Sequence, residues 1–163
     1  MIMSKNTLFF RATLSFILLA FLSCNSNQDE CELDEEILAQ DLNLKITRLE
    51  DDFFSAKTKE DFLFLFEEHP EFTEEYLQPE LYANLDSLAS SLLVVHQDSS
   101  MKDLYEAVKS KRGDISEVNK NLENAFKYIK HYYPDFEVPK VSTFVSGFTS
   151  DLFITDDLIV LGI

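Results

Sequence analysis

At Pro139 the spacing of apolar residues changes period, and that switch constrains the fold more than any other feature of the chain. Upstream, Ile115, Val118, Leu122, Ala125, Phe126, Ile129 and Tyr132 recur at the spacing of one helix face. Downstream, Val141, Thr143 and Val145 alternate with Ser142, Phe144 and Ser146, as side chains do on a strand. Leu152 to Thr155 reads as a second strand, Asp156-Asp157 as a tight connection, and Leu158 to Ile163 as a third, buried strand. Helices followed by an antiparallel strand meander make an α+β class.

Local signals divide the helical part. Leu44, Ile46 and Leu49 leave room for a short strand before Glu50. Thr58 with Asp61 three residues later is a capping-box start, and His69-Pro70 ends the helix that follows. Glu71 to Leu77 makes another short turn. Pro79 is placed as a first-turn proline for a helix carrying Leu81, Leu85, Leu88, Leu92 and Val95. Asp98 to Ser100 caps a further helix, whose end collects Lys109, Lys111 and Arg112 before Gly113.

The first 23 residues read as an export signal. Lys5 and Arg11 precede an apolar run from Ala12 to Leu22, and no acid occurs before Asp29. That run is too short to cross a hydrocarbon core, which takes about 20 residues as a helix. Phe21-Leu22-Ser23-Cys24 resembles a bacterial lipobox, with Ser23 at the small position, Phe21 departing from the usual Leu, and Cys24 as the lipidated residue. Residues 24–40 read as an acidic flexible tether, because six of the eight residues from Asp29 to Glu36 are acidic. Residues 41–163 form the α+β domain, which is expected to be incomplete and to continue past the apolar run at Ile163. Cys31 is left without an intrachain partner once Cys24 is acylated, and no role is assigned to it.

Charge narrows the partners. With 30 acidic against 14 basic side chains, the chain has a formal charge of −16, so nothing in it would neutralise a nucleic-acid backbone. The expected membrane contact is the lipid on Cys24. The protein is then exported and held in the cell envelope, on the inner or the outer membrane.

No catalytic constellation is legible. His69, His96 and His131 lack the one-turn spacing of a metalloprotease helix, and they read as helix-end residues. The acid pairs Asp51-Asp52, Glu67-Glu68, Glu74-Glu75 and Asp156-Asp157 point in divergent directions on a helix or turn and read as solvated surface. There is no Gly-x-Ser-x-Gly elbow, no calcium loop and no phosphate-cradling glycine loop. No catalytic residue, metal ligand or cofactor is therefore assigned. The clusters Phe62/Phe64/Phe66 and Tyr128/Tyr132/Tyr133 read as packing, with a glycan- or peptide-binding lipoprotein as the alternative the tyrosines leave open.

Several segments together carry a family resemblance. His131-Tyr132-Tyr133-Pro134, Phe136, Val138-Pro139-Lys140-Val141, Phe144-Val145-Ser146-Gly147 and Asp156-Asp157-Leu158-Ile159 resemble the gliding-motility lipoprotein GldB family of Bacteroidota. Arg48-Leu49-Glu50, Phe53-Phe54 and the Cys24 lipobox occur in matching order. The resemblance implies an envelope lipoprotein that acts through protein contacts in the gliding machinery. It also implies a distant likeness to zincin-type metallopeptidases. The corresponding alternative is the N-terminal part of a metallopeptidase-related protein whose metal helix lies beyond Ile163.

Overall fold

The computed structural model describes residues 34–146 and 151–163. The expected signal at 1–23, the lipidated Cys24, Cys31 and the turn at Gly147 lie outside the described residues. The folded unit begins at Glu35. Its helices are α1 (Glu35–Leu38), α2 (Leu49–Ser55), α3 (Lys59–Glu68), α4 (Leu85–Gln97), α5 (Ser99–Arg112) and α6 (Ser116–Tyr132). A π-helical turn (Phe72–Leu77) and a 3₁₀ turn (Pro79–Leu81) link α3 to α4. The strands are β1 (Ile46–Arg48), β2 (Lys140–Phe144), β3 (Leu152–Ile154) and β4 (Leu158–Gly162).

The α+β class holds, but the sheet is mixed and not an antiparallel meander. The strand order is β1-β2-β4-β3. β1 pairs with β2 and β2 with β4 in parallel, and only β3 and β4 run antiparallel. The physical reason lies in side-chain polarity. Leu158, Ile159 and Val160 are apolar in succession and need burial on both faces, so β4 takes a central position. β3 exposes Leu152 and Ile154 and stays at the edge. Val141 sits opposite Ile46 on one side and Ile159 on the other.

Alternation along β2 and β4 sends side chains into two cores. Phe144, Leu158 and Val160 join Leu49, Phe53, Phe62, Leu65, Phe66, Phe72, Leu88 and Ala89 in the larger one. Val141 and Ile159 join Leu44 and Phe126 in the smaller, which α6 covers. The sheet is thus packed by helices on both faces.

The helix boundaries follow their caps. Thr58 accepts from the Asp61 backbone N–H at 3.2 Å, and Asp61 Oδ2 accepts from the N–H groups of Thr58 at 2.9 Å and Lys57 at 2.8 Å. These bonds hold the Asp61 carboxyl below the usual carboxylate range. Its contribution to stability is therefore present above the ordinary carboxylate pKa and fades as pH falls through the lowered one. Thr58→Ala is expected to cost about 1 kcal/mol of folding stability in urea melts, and Thr58→Ser is expected to cost less.

Two expectations need correction. The helix expected from Pro79 begins at Leu85, because Asn84 caps it by accepting from Ser87 N–H, and Leu81 is left exposed in the 3₁₀ turn. The stretch 24–40 was expected to be a flexible tether throughout, yet Glu35–Leu38 is helical and Ile37 is buried. Lys127 on α6 explains the docking: its ammonium bonds the Leu38 carbonyl at 3.1 Å and Glu123 at 3.0 Å. Glu123 in turn accepts from the Leu44 N–H at 3.2 Å. The density of acids masked one apolar side chain and a carbonyl with a lysine partner.

Candidate functional site

Two neighbouring features of α2 concentrate the unusual chemistry of the fold. The first is a buried polar knot at the junction of β1 and α2. Glu50 is 0% exposed, deep inside the molecule. Its Oε1 accepts from Arg48 Nε at 2.6 Å, and its Oε2 accepts from the Thr143 hydroxyl at 2.7 Å. A buried carboxylate is tolerable only when both oxygens are satisfied by charge and hydrogen bonds, which is the arrangement here.

Arg48 also donates from Nη1 to the carbonyls of Gly113 at 2.7 Å and Arg112 at 3.3 Å. It thereby ties the α5 C-terminus, where carbonyls lack helical partners, to the sheet edge. Gly113 suits this end of the helix, because a Cβ there would meet the Lys109 carbonyl oxygen at 2.6 Å. Asp51 lies 3.6 Å from Arg48 and accepts from the Tyr105 hydroxyl at 2.7 Å.

The Tyr105 ring stacks on Phe54 with a centroid separation of 4.3 Å. Burial, followed by the bond to Asp51, pushes the Tyr105 phenol up to about 12. Since the folded value lies above the ordinary one, this contribution is complete below about pH 10 and is lost as pH rises through about 12. Burial raises the Tyr76 phenol as well, so alkaline titration by tyrosinate absorbance is expected to show late-titrating tyrosines and to lose one of them in Tyr105→Phe.

The second feature is a cleft of about 510 Å³ between α2 and α3. Buried Ala56 and Leu65 form its floor, and Phe64, 63% exposed, forms a wall. Asp52, Asp61, Glu68 and His69 also line it, with Asp52 Oδ2 at 3.6 Å from His69 Nε2. The acid pairs read as solvated surface are thus partly gathered: one member of Asp51-Asp52 serves the knot and the other the cleft. Glu68 joins Asp52 there, whereas Asp156-Asp157 stay in the hairpin connection between β3 and β4.

The histidines take separate places. His69 lines the cleft, and His131 Nδ1 meets the Gln40 amide at 3.1 Å. His96 is buried, where Nε2–H donates to the Phe54 carbonyl at 3.2 Å and Nδ1 has no partner. Its ring lies among those of Phe53, Phe54 and Phe62. Among the described residues no group of three or more His, Cys, Asp or Glu side chains is placed to hold a metal. Among the same residues no helix is long and apolar enough to cross a membrane.

Sequence reasoning did not foresee the knot. Arg48 and Glu50 entered only as part of a resemblance, and Thr143 only as a strand residue. The one available signal was a charged pair, Arg48 and Glu50, flanking the apolar Leu49 next to the Phe53-Phe54 pair. The aromatic triplet also divides: Phe62 and Phe66 are core, while Phe64 faces the cleft. Of the tyrosine cluster, Tyr132 and Tyr133 are exposed at the end of α6.

No curated protein and no solved structure matches the chain. A family model does, the gliding motility protein GldB, over residues 30–163. That span contains the knot, the cleft and the whole sheet, and so the chain belongs to the gliding motility protein GldB family.

Proposed function

We propose that this protein is a lipid-anchored component of the cell envelope that serves gliding by contacting other proteins of the motility machinery. Membership of the gliding motility family carries the reading. The Phe21-Leu22-Ser23-Cys24 sequence supplies the anchor: residues 1–23 are the removed signal, and Cys24 takes the acyl chains. Each buried methylene contributes about 0.8 kcal/mol of membrane affinity, so two or more chains hold the protein stably at a membrane. A short acidic segment then spaces the folded unit from the bilayer, and its charge keeps it off anionic lipid.

The surface chemistry agrees with a contact role. The cleft between α2 and α3 mixes apolar Ala56, Phe64 and Leu65 with charged groups, and its exposed phenylalanine is of a type enriched where proteins meet.

The test has two arms. Cys24→Ala is expected to abolish incorporation of an alkyne-tagged fatty acid and to move the protein from the membrane to the soluble fraction. An unlabelled variant that stays on the membrane would sink the anchor. In cells that glide, tagged wild-type protein is expected to co-purify with other motility proteins. A deletion strain that glides normally would contradict the contact role.

A further inference from the structure

We propose that the cleft between α2 and α3 is the docking site for an arginine-bearing segment of a partner protein in the envelope. The proposal rests on the contact role above and names the chemistry of the contact.

The cleft has three parts that match an arginine side chain. Ala56 and Leu65 provide an apolar floor for the aliphatic stem, which arginine buries while keeping its head in polar surroundings. Phe64 offers an exposed aromatic face beside that floor, and a guanidinium stacks on such a face with a favourable cation–π interaction. Asp52 and Glu68 bring carboxylates to the same space, and a guanidinium pairs with a carboxylate through two parallel hydrogen bonds.

The third acid differs in kind. Asp61 already accepts from two backbone N–H groups, so it contributes charge rather than a free fork-like acceptor. Lys57 and His69 also line the cleft, with Lys57 acting on Asp61 and His69 Nε2 lying 3.6 Å from Asp52 Oδ2, so three acids there face two basic side chains. The whole chain, at −16, adds long-range attraction for a basic segment.

Phe64 is one of several large apolar side chains exposed among the described residues, and it is the one of them that lines the cleft. Position 64 lies between two core phenylalanines on an amphipathic helix, where a polar residue would cost nothing. A volume of about 510 Å³ admits a few side chains, so the fit is to a short peptide segment and not to a single ion.

The experiment uses the full chain in detergent micelles and a fluorescein-labelled peptide, acetyl-Leu-Arg-Leu-Arg-Leu-amide, followed by anisotropy. Binding is expected, and it should weaken with salt. The double variant Asp52→Asn/Glu68→Gln is expected to weaken it about tenfold. Phe64→Ala is expected to weaken it comparably. Asp103→Asn/Glu106→Gln, which removes the same charge from exposed positions on α5, is expected to change it by less than about twofold. Replacing both arginines of the peptide by citrulline should abolish binding.

Equal losses in the two double variants would overturn the proposal, since attraction would then be general. So would unchanged binding of the citrulline peptide, or absence of binding altogether. Phe64-dependent self-association of the protein without peptide binding would assign the cleft to a second copy and also overturn it. Co-purification with motility proteins that survives Asp52→Asn/Glu68→Gln would remove the cleft while leaving the contact role standing. No co-purification by the wild-type protein would remove the contact role itself.

Discussion

Replacing Glu50 by alanine is expected to lower folding stability by about 3 kcal/mol, read as a shifted urea midpoint with an unchanged slope. The size follows from what is left behind. Thr143 loses the acceptor of its buried hydroxyl at 2.7 Å, and Arg48 loses its closest counter-charge at 2.6 Å. The loss should fall near the lower end of the range for broken buried ion pairs. Arg48 is partly exposed and keeps the Gly113 carbonyl at 2.7 Å and Asp51 at 3.6 Å.

Paired substitution separates this from simple loss of bulk. Arg48→Met with Glu50→Leu removes both charges at similar volume, and the double variant is expected to be more stable than Glu50→Ala. In a double-mutant cycle, Glu50→Ala and Thr143→Val should couple, because each removes one partner of the same bond. A Glu50→Ala change of less than about 1 kcal/mol would show that the knot is not a structural tie.

Truncation of Phe53 to alanine is expected to cost about 4 kcal/mol, the second large effect. Phe53 meets the rings of Phe54, Phe62, Phe144 and His96 at centroid distances of 5.1, 5.2, 5.4 and 6.1 Å. It therefore joins α2 to α3, to β2 and to α4 at one point. Each edge-on aromatic contact adds to the area term, and the void cannot collapse when four elements share its walls.

Phe64→Ala is the informative contrast. The residue is two positions from a core phenylalanine in sequence but faces water, so its stability change should stay within about 0.5 kcal/mol. Equal losses at Phe53 and Phe64 would mean that the core is not where the fold places it. The cleft peptide experiment depends on this difference, because Phe64→Ala must leave the fold intact.

Much of the architecture was legible because it depends on near neighbours. A cap is decided by a side chain reaching an N–H two or three residues on, so Thr58, Asp61 and Asp98 announce α3 and α5. A change of period is decided by which residues alternate, so β2, β3 and β4 could be placed from Val141, Leu152 and Leu158 onward. The reading was weaker where a strong local signal competed with a better one nearby. Pro79 is a sound first-turn residue, yet it opens only a 3₁₀ turn, and the long helix waits for Asn84.

The sites were less legible. Asp52, Glu68 and His69 look like members of an acid-rich background, and only the approach of α2 to α3 turns them into one lining. The proposed lipidation of Cys24 differs in kind: it rests entirely on adjacent residues, the apolar run and Ser23 before it, and lies outside the described residues.

The sequence by itself determined the class of the fold, the capped starts of α3 and α5, the acidity, the family resemblance and the expectation of an anchor at Cys24. Each rests on composition or on residues within a few positions of one another. Tertiary structure alone decided the direction and order of the strands, because parallel pairing of Ile46 with Val141 joins segments separated by the whole helical region. It alone decided that Glu50 is buried against Thr143, a bond spanning 93 positions, while Asp52 beside it faces a cleft. Period and capping are short-range steric and hydrogen-bonding effects. Which acid is interred and which is offered to solvent depends on what the rest of the chain brings to meet it.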